Sequence, residues 1–121
     1  MNKILFEEVT QIAGISDREG GESSFWGDFN GDGWPDLLTG WHGRILYQNN
    51  RDGTFTDVTF SKFLSHAPRD NHGAAWADFD NDGDQDLVRL VGAVRGTGSG
   101  ENNLYVNDGG RLADQASELG V

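Results

Sequence analysis

Two acidic segments carry the chemistry of this chain: Asp28-Phe-Asn-Gly-Asp-Gly-Trp-Pro-Asp36 and, fifty residues on, Asp78-Phe-Asp-Asn-Asp-Gly-Asp-Gln-Asp86. Each puts Asp or Asn at positions 1, 3, 5 and 9 and Gly at position 6. Oxygen donors on alternate residues suit a hard cation such as Ca²⁺, and a glycine among them permits the sharp bend that makes them converge. A single loop of this kind also reads as an Asx-rich turn without metal, because Asp and Asn favour turns in any case. Two loops in the same register point instead to a metal-binding repeat, since carboxylates crowded into one tight loop repel each other unless a cation offsets them.

The first six positions also fit an EF-hand, which requires a bidentate Glu at position 12 and a helix on either side. Position 12 is Thr39 in one copy and Arg89 in the other, and both flanks read as strands. That excludes the EF-hand and, on the same flanks, a dockerin-like helical module. The second loop holds more acids than the first and is the expected tighter site, with Asp84 expected to face solvent.

Other constellations are weaker. Gly96-Thr-Gly-Ser-Gly100 invites comparison with a phosphate-cradling loop, but Glu101 stands where a further glycine belongs and no helix follows, so a hairpin tip is expected. His66, Asp70 and His72 fall close together and offer a second metal site or an acid/base pair, against the plainer reading of an ordinary polar loop. Trp41, His42 and Arg44 suit a sugar-stacking patch, although Trp41 is more simply packing. Trp26 and Trp76 read as core between repeats. No recognisable nucleophile–base pair is visible, so no catalytic residue is assigned.

The elements that position the two loops are legible as an internal repeat. Ser24-Phe-Trp-Gly-Asp-Phe matches Ala74-Ala-Trp-Ala-Asp-Phe at an offset of 50, and Asp36-Leu-Leu matches Asp86-Leu-Val. Leu46-Tyr-Gln-Asn matches Leu104-Tyr-Val-Asn at 58, and Phe55-Thr-Asp-Val-Thr matches Leu112-Ala-Asp-Gln-Ala at 57. The second copy therefore has eight extra residues around 92–103 and lacks one in the turn near Asp108. A third trace, Phe6-Glu-Glu-Val-Thr, echoes Phe55-Thr-Asp-Val-Thr at 49.

Each repeat reads as four short strands: 25–29, 36–39, one around Leu46 and Tyr47, and 55–59 in the first copy. In the second they are 74–79, 86–91, one around Leu104 and Tyr105, and 112–116, with a short helix as the alternative over 114–119. Asn49-Asn-Arg-Asp-Gly53 and Asn107-Asp-Gly-Gly110 are hairpin signals between strands three and four. Four antiparallel strands per repeat of about fifty residues describe a propeller blade. The expectation is an all-β chain: an extra outer strand within 1–15, blade 1 over 24–60 and blade 2 over 73–117.

Bulk composition agrees. With 121 residues, 36% of them hydrophobic, the chain is long enough to bury a core and is not an acidic disordered tail. Eight of the 20 acidic residues lie in the two loops, and without them the formal charge of −11 falls to −3. The acidity is thus local, and it argues against nucleic acid and anionic membrane as partners. Cysteine is absent, so there is no disulfide framework. Ile4, Leu5 and Phe6 followed by two acids do not make a signal peptide, and no apolar run is long enough to span a bilayer.

The twelve-residue stretches Trp26-Gly-Asp-Phe-Asn-Gly-Asp-Gly-Trp-Pro-Asp-Leu37 and Trp76-Ala-Asp-Phe-Asp-Asn-Asp-Gly-Asp-Gln-Asp-Leu87 resemble the FG-GAP/VCBS repeats of integrin-α-type β-propellers. The Leu-Tyr-x-Asn and Asp-Gly-Thr-Phe-Thr-Asp-Val-Thr segments are similar to the bacterial and cartilage-acidic-protein branch. The resemblance implies Ca²⁺ in the loop that follows the innermost strand of each blade. Its ligands would be the side chains of Asp28, Asn30, Asp32 and Asp36 with the Trp34 carbonyl, and those of Asp78, Asp80, Asp82 and Asp86 with the Asp84 carbonyl. It further implies a structural or binding role, in adhesion or ligand recognition, in an extracellular or secreted full-length context. A propeller-face enzyme acting on carbohydrate, as lyase or hydrolase, and a lectin are the alternatives. Family propellers close with about seven blades, whereas two blades alone leave both outer faces uncovered. Self-association into a ring of even blade number is the expectation that answers this, with a protein or carbohydrate as a possible ligand.

Overall fold

The computed structural model describes residues 3–15, 23–40, 45–65, 71–92 and 100–121. The chain is all-β, built as two four-stranded antiparallel sheets in strict sequence order. The first holds β1 (Ser24–Gly27), β2 (Asp36–Thr39), β3 (Leu46–Asn49) and β4 (Phe55–Asp57). The second holds β5 (Asn71–Ala77), β6 (Asp86–Val91), β7 (Asn103–Asp108) and β8 (Arg111–Asp114). Two single-turn helices, α1 (Thr59–Lys62) and α2 (Ala116–Leu119), follow the outer strands. Each sheet is a β-propeller blade, as the fifty-residue period requires.

The registers show how the repeat is repeated in space. Trp26 pairs with Leu37 and Trp76 with Leu87, while Leu38 pairs with Leu46 and Val88 with Leu104. Because side chains alternate across a strand, each blade has one face built on the Trp–Leu–Tyr set and one on the other set. Blade 2 turns its first face, with Leu87, Tyr105 and Leu112, onto the second face of blade 1, with Phe29, Leu38 and Leu46. Ile45 and Phe63 complete that core, and Phe25, Ala74, Trp76 and Val58 pack on its margin. Fully burying side chains of this size contributes about 1.5–3 kcal/mol each, so this joint between blades is the main apolar core of the molecule. Phe63 stacks edge-on against Tyr105 at 4.8 Å between ring centroids, which ties the connector between blades into it.

Strand ends differ from the sequence expectation where a side chain takes over a backbone group. β1 stops at Gly27 instead of running to residue 29, because the Phe29 amide donates to the Asp36 carboxylate rather than to a neighbouring strand. β4 stops at Asp57, whose carboxylate accepts from the Thr59 amide and starts α1. Asp114 does the same for Ala116, so the tail expected as either strand or helix becomes α2. The β7–β8 turn places Gly109 and Gly110 at φ of 57° and 85°, as a tight two-residue hairpin demands.

The extra N-terminal strand is not formed. Residues 3–9 lie in no strand, and residues 10–14 form a turn. The turn repeats the one after each outer strand: Ala13 N–H bonds to Val9 O, as Lys62 does to Val58 and Leu119 does to Gln115. Ala13 O then accepts from Phe55 N–H on β4, whereas after β4 the connector donates in the opposite sense, from Leu64 N–H to Leu112 O on β8. The sequence echo at Phe6–Thr10 therefore marks the connector that enters a blade. A strand needs an edge to pair with, and residues 3–9 have none among the described residues; Phe6 is 97% exposed.

Candidate metal loops and the joint between them

Both acidic loops link the innermost strand of a blade to the next, and they fold alike. Position 1 is the hub. Asp28 accepts from the amides of Asp32 (3.0 Å) and Gly33 (2.8 Å), and Asp78 accepts from those of Asp82 and Gly83, both at 3.1 Å. At position 3, Asn30 and Asp80 each accept from the amide two residues on, at 3.1 and 3.2 Å. At position 5, Asp32 and Asp82 accept from the amides of Trp34 and Asp84, both at 2.9 Å. These bonds fold the loop so that its side-chain oxygens turn inward.

Two backbone positions make the fold possible. Position 6, the expected bend, has φ of 86° at Gly33 and 100° at Gly83. Position 4 also lies in the left-handed region, at 69° for Gly31 and 61° for Asn81. Gly and Asn are the residues that adopt it at least cost, so the signal stood in the sequence at a position to which no role had been assigned.

Position 9 locks the loop to its blade. Asp36 and Asp86 open β2 and β6 and are 1% exposed. One carboxylate oxygen of each accepts from position 2 of its own loop, Phe29 at 3.2 Å or Phe79 at 3.0 Å. The other accepts from the end of the third strand, Asn49 or Asn107, both at 2.8 Å. Burial pushes the Asp36 carboxyl up from its ordinary value, opposed by those two amides and reinforced by the charges of Asp32 and Asp28. Asp80 is also pushed up, by desolvation first and then by the charges of Asp82, Asp86 and Asp78. Asp32 is held below the usual range, first by the Trp34 amide and further by Arg51.

The two loops diverge in three ways. In the second, carboxylate oxygens of Asp78, Asp80 and Asp86 lie within 4.8 Å of one another, a spacing that suits one shared cation. In the first, Asn30 replaces one acid, and Arg51 donates to Asp32 at 3.1 Å. Asp84, expected to face solvent, accepts from the Gly109 amide at 2.8 Å and steadies the β7–β8 turn. Its counterpart Trp34 is 45% exposed and carries no side-chain oxygen, so only its carbonyl is suited to a ligand role. Each carboxylate oxygen has a second lone pair, so the amide bonds leave capacity for a cation and the donor set fits Ca²⁺.

Sequence reasoning missed the residues that join the loops. Asn107 is fully buried; its amide nitrogen donates to Gln85 O at 2.8 Å in its own blade and to Phe29 O at 2.6 Å in blade 1. Gln85 reaches back to accept from the Asp28 amide at 3.0 Å. Trp76 packs against Gly27, where even a Cβ would sit 2.6 Å from the indole, as its assignment to the core between repeats expects, whereas Trp26, assigned likewise, is 56% exposed. The shared Asn in Leu-Tyr-x-Asn was the available signal.

His66, Asp70, Trp41, His42 and Arg44 lie outside the described residues, as does most of the Gly-rich tip before Gly100. His72 is exposed and rests against Gly92. Among the described residues no helix is long and apolar enough to cross a membrane.

Comparison with known proteins agrees with this geometry. Residues 20–54, which include the first loop, match the model of the FG-GAP repeat, and residues 40–89, which include the second, match that of the FG-GAP-like repeat. No curated protein matches the chain. FG-GAP repeats form propeller-type modules whose usual roles are structural or binding. Two matched repeats, each containing one acidic loop and the strand on either side of it in whole or in part, assign this chain to the FG-GAP repeat family.

Proposed function

We propose that the chain is a calcium-binding propeller module with a structural and binding role, each blade carrying one site. The first site uses Asp28, Asn30, Asp32 and Asp36 with the Trp34 carbonyl, and the second uses Asp78, Asp80, Asp82 and Asp86 with the Asp84 carbonyl. The observation that carries the reading is the convergence of Asp78, Asp80 and Asp86 oxygens in a loop whose hydrogen bonds recur in the other blade. When bound, Ca²⁺ supplies the positive charge that offsets carboxylate repulsion and makes the loop rigid. The chain's own groups do the rest: the hub Asp sets the bend, and the position-9 Asp passes that order into the sheet.

The rigid loops sit between strands one and two of adjoining blades, beside the bonds from Asn107 and Gln85. Their role is to stiffen a face that presents ligand, in adhesion or recognition. Loops of this donor count bind at roughly micromolar to millimolar Ca²⁺, which suits an extracellular setting. Isothermal titration of chelator-treated protein tests the reading. It should resolve two sites, the weaker one strengthened by Arg51→Ala, and a double change of Asp78→Asn and Asp80→Asn should leave one. Absence of heat with Ca²⁺ at millimolar levels would refute it.

A further inference from the structure

We propose that this chain docks head to tail on a second copy of itself, through a joint that repeats the one between its own blades. The face of blade 1 bearing Trp26 and Asn49 meets the face of blade 2 bearing Phe79, Val88 and Leu104. The inference goes beyond the calcium reading and does not depend on it.

The internal joint shows what each half looks like when covered. Blade 2 contributes Trp76, Leu87, Tyr105 and the amide of Asn107, and blade 1 contributes Phe29, Leu38, Leu46 and the carbonyl of Phe29. Both halves occur once more on the same chain, and among the described residues no blade lies on either, although Leu37 and Tyr47 on the blade 1 face are already buried, so that Trp26 is its exposed part. On blade 1, Trp26 occupies the place of Trp76, pairs with Leu37 as Trp76 pairs with Leu87, and is 56% exposed. On blade 2, Phe79 occupies the place of Phe29 and is 43% exposed, whereas Phe29 is 1% exposed. Around Phe79 lies an apolar hollow lined by Ala75, Ala77, Val88 and Leu104. The blade 1 residues at those positions are Phe25, Gly27, Leu38 and Leu46, the surface that blade 2 covers.

The polar register is preserved as well. Asn107 spends one amide hydrogen on its own blade, at Gln85 O, and the other across the joint, at Phe29 O. Asn49 spends one on its own blade, at Pro35 O, and among the described residues the other has no acceptor. In a head-to-tail pair its acceptor is Phe79 O of the second copy. The connector that enters blade 1 lies beside β4 as the connector between blades lies beside β8, with the bond reversed: Ala13 O accepts from Phe55 N–H, and Leu64 N–H donates to Leu112 O. The outer joint is not an exact copy. Ala77 stands where Gly27 receives Trp76, so the incoming Trp26 must seat further out, and Pro35 replaces Gln85, which removes one bond. It is therefore the weaker of the two joints.

Such a contact uses different surfaces on the two partners. Repetition closes it into a ring when the rotation allows, and each copy adds two blades. The test is native mass spectrometry and light scattering of the full chain over a concentration series, in Ca²⁺ and in EGTA. Wild type should grow in mass with concentration toward a ring of even blade number. Trp26→Glu alone and Phe79→Arg alone should each stay monomeric with a wild-type far-UV spectrum, since both side chains are exposed. Ala77→Arg blocks the same hollow from a second position and should act like Phe79→Arg. An equimolar mixture of Trp26→Glu and Phe79→Arg retains one intact joint, so it should form dimers and nothing larger. A wild type that stays monomeric throughout, single variants that still assemble, or a mixture that stays monomeric would each overturn the proposal.

Discussion

At the scale of the residue, one carboxylate serves two masters. Asp36 and Asp86 are structural anchors, each holding two backbone amides, and are also the ninth-position oxygens that a cation would need. The burial of Asp36 has a consequence for pH. The folded-state value of Asp36 is raised, so the neutral form is favoured on folding. Its contribution to stability is therefore full below the ordinary carboxylate value and is lost as pH rises through the raised value. In EGTA, the stability difference between wild type and Asp36→Asn should shrink as pH rises through that window, as urea melts at several pH values will show. In Ca²⁺ the trend should reverse, because binding needs the ionised form. The ligand pattern itself was legible, since alternate oxygens leave a trace in sequence. Which oxygen each amide would claim was not, because that depends on the position-4 and position-6 backbone angles acting together.

At the scale of the element, the period of the repeat was legible in full and its strand ends were not. Matching residues at offsets of 50, 57 and 58 marked out eight strands in two sheets, and all eight are present in that order. The ends moved because Asp36, Asp57 and Asp114 capture amides that would otherwise extend a strand or begin a coil. The Phe6–Thr10 echo was real as a repeat and misleading as a strand, since β structure is a property of a pair and not of a segment. The joint between blades gives the element-scale prediction. Asn107→Ala removes two bonds to buried or half-buried carbonyls and the buried one from the Gly110 amide, and should cost about 2–4 kcal/mol, whereas Asn49→Ala, which loses two exposed bonds, to Pro35 O and from the Arg51 amide, should cost about 1 kcal/mol or less. Chemical denaturation of the two variants under identical conditions measures the gap. Equal losses would show that the bond across the joint contributes nothing.

At the scale of the whole molecule, the acidic loops and the joint are parts of one device. The first loop carries Phe29 into the core between blades, and the second carries Phe79 to a hollow of the same design. Order imposed on either loop therefore passes into a surface where one blade meets another. A ligand that binds only the folded state stabilises it by about 2.7 kcal/mol per site when present at a hundredfold over its Kd. Scanning calorimetry of the full chain in excess Ca²⁺ and then in EGTA tests this most directly. The account predicts a midpoint higher by several degrees with Ca²⁺, reversed by chelation and roughly halved when Asp78→Asn and Asp80→Asn remove the second site. A midpoint that is the same in Ca²⁺ and in EGTA would contradict it.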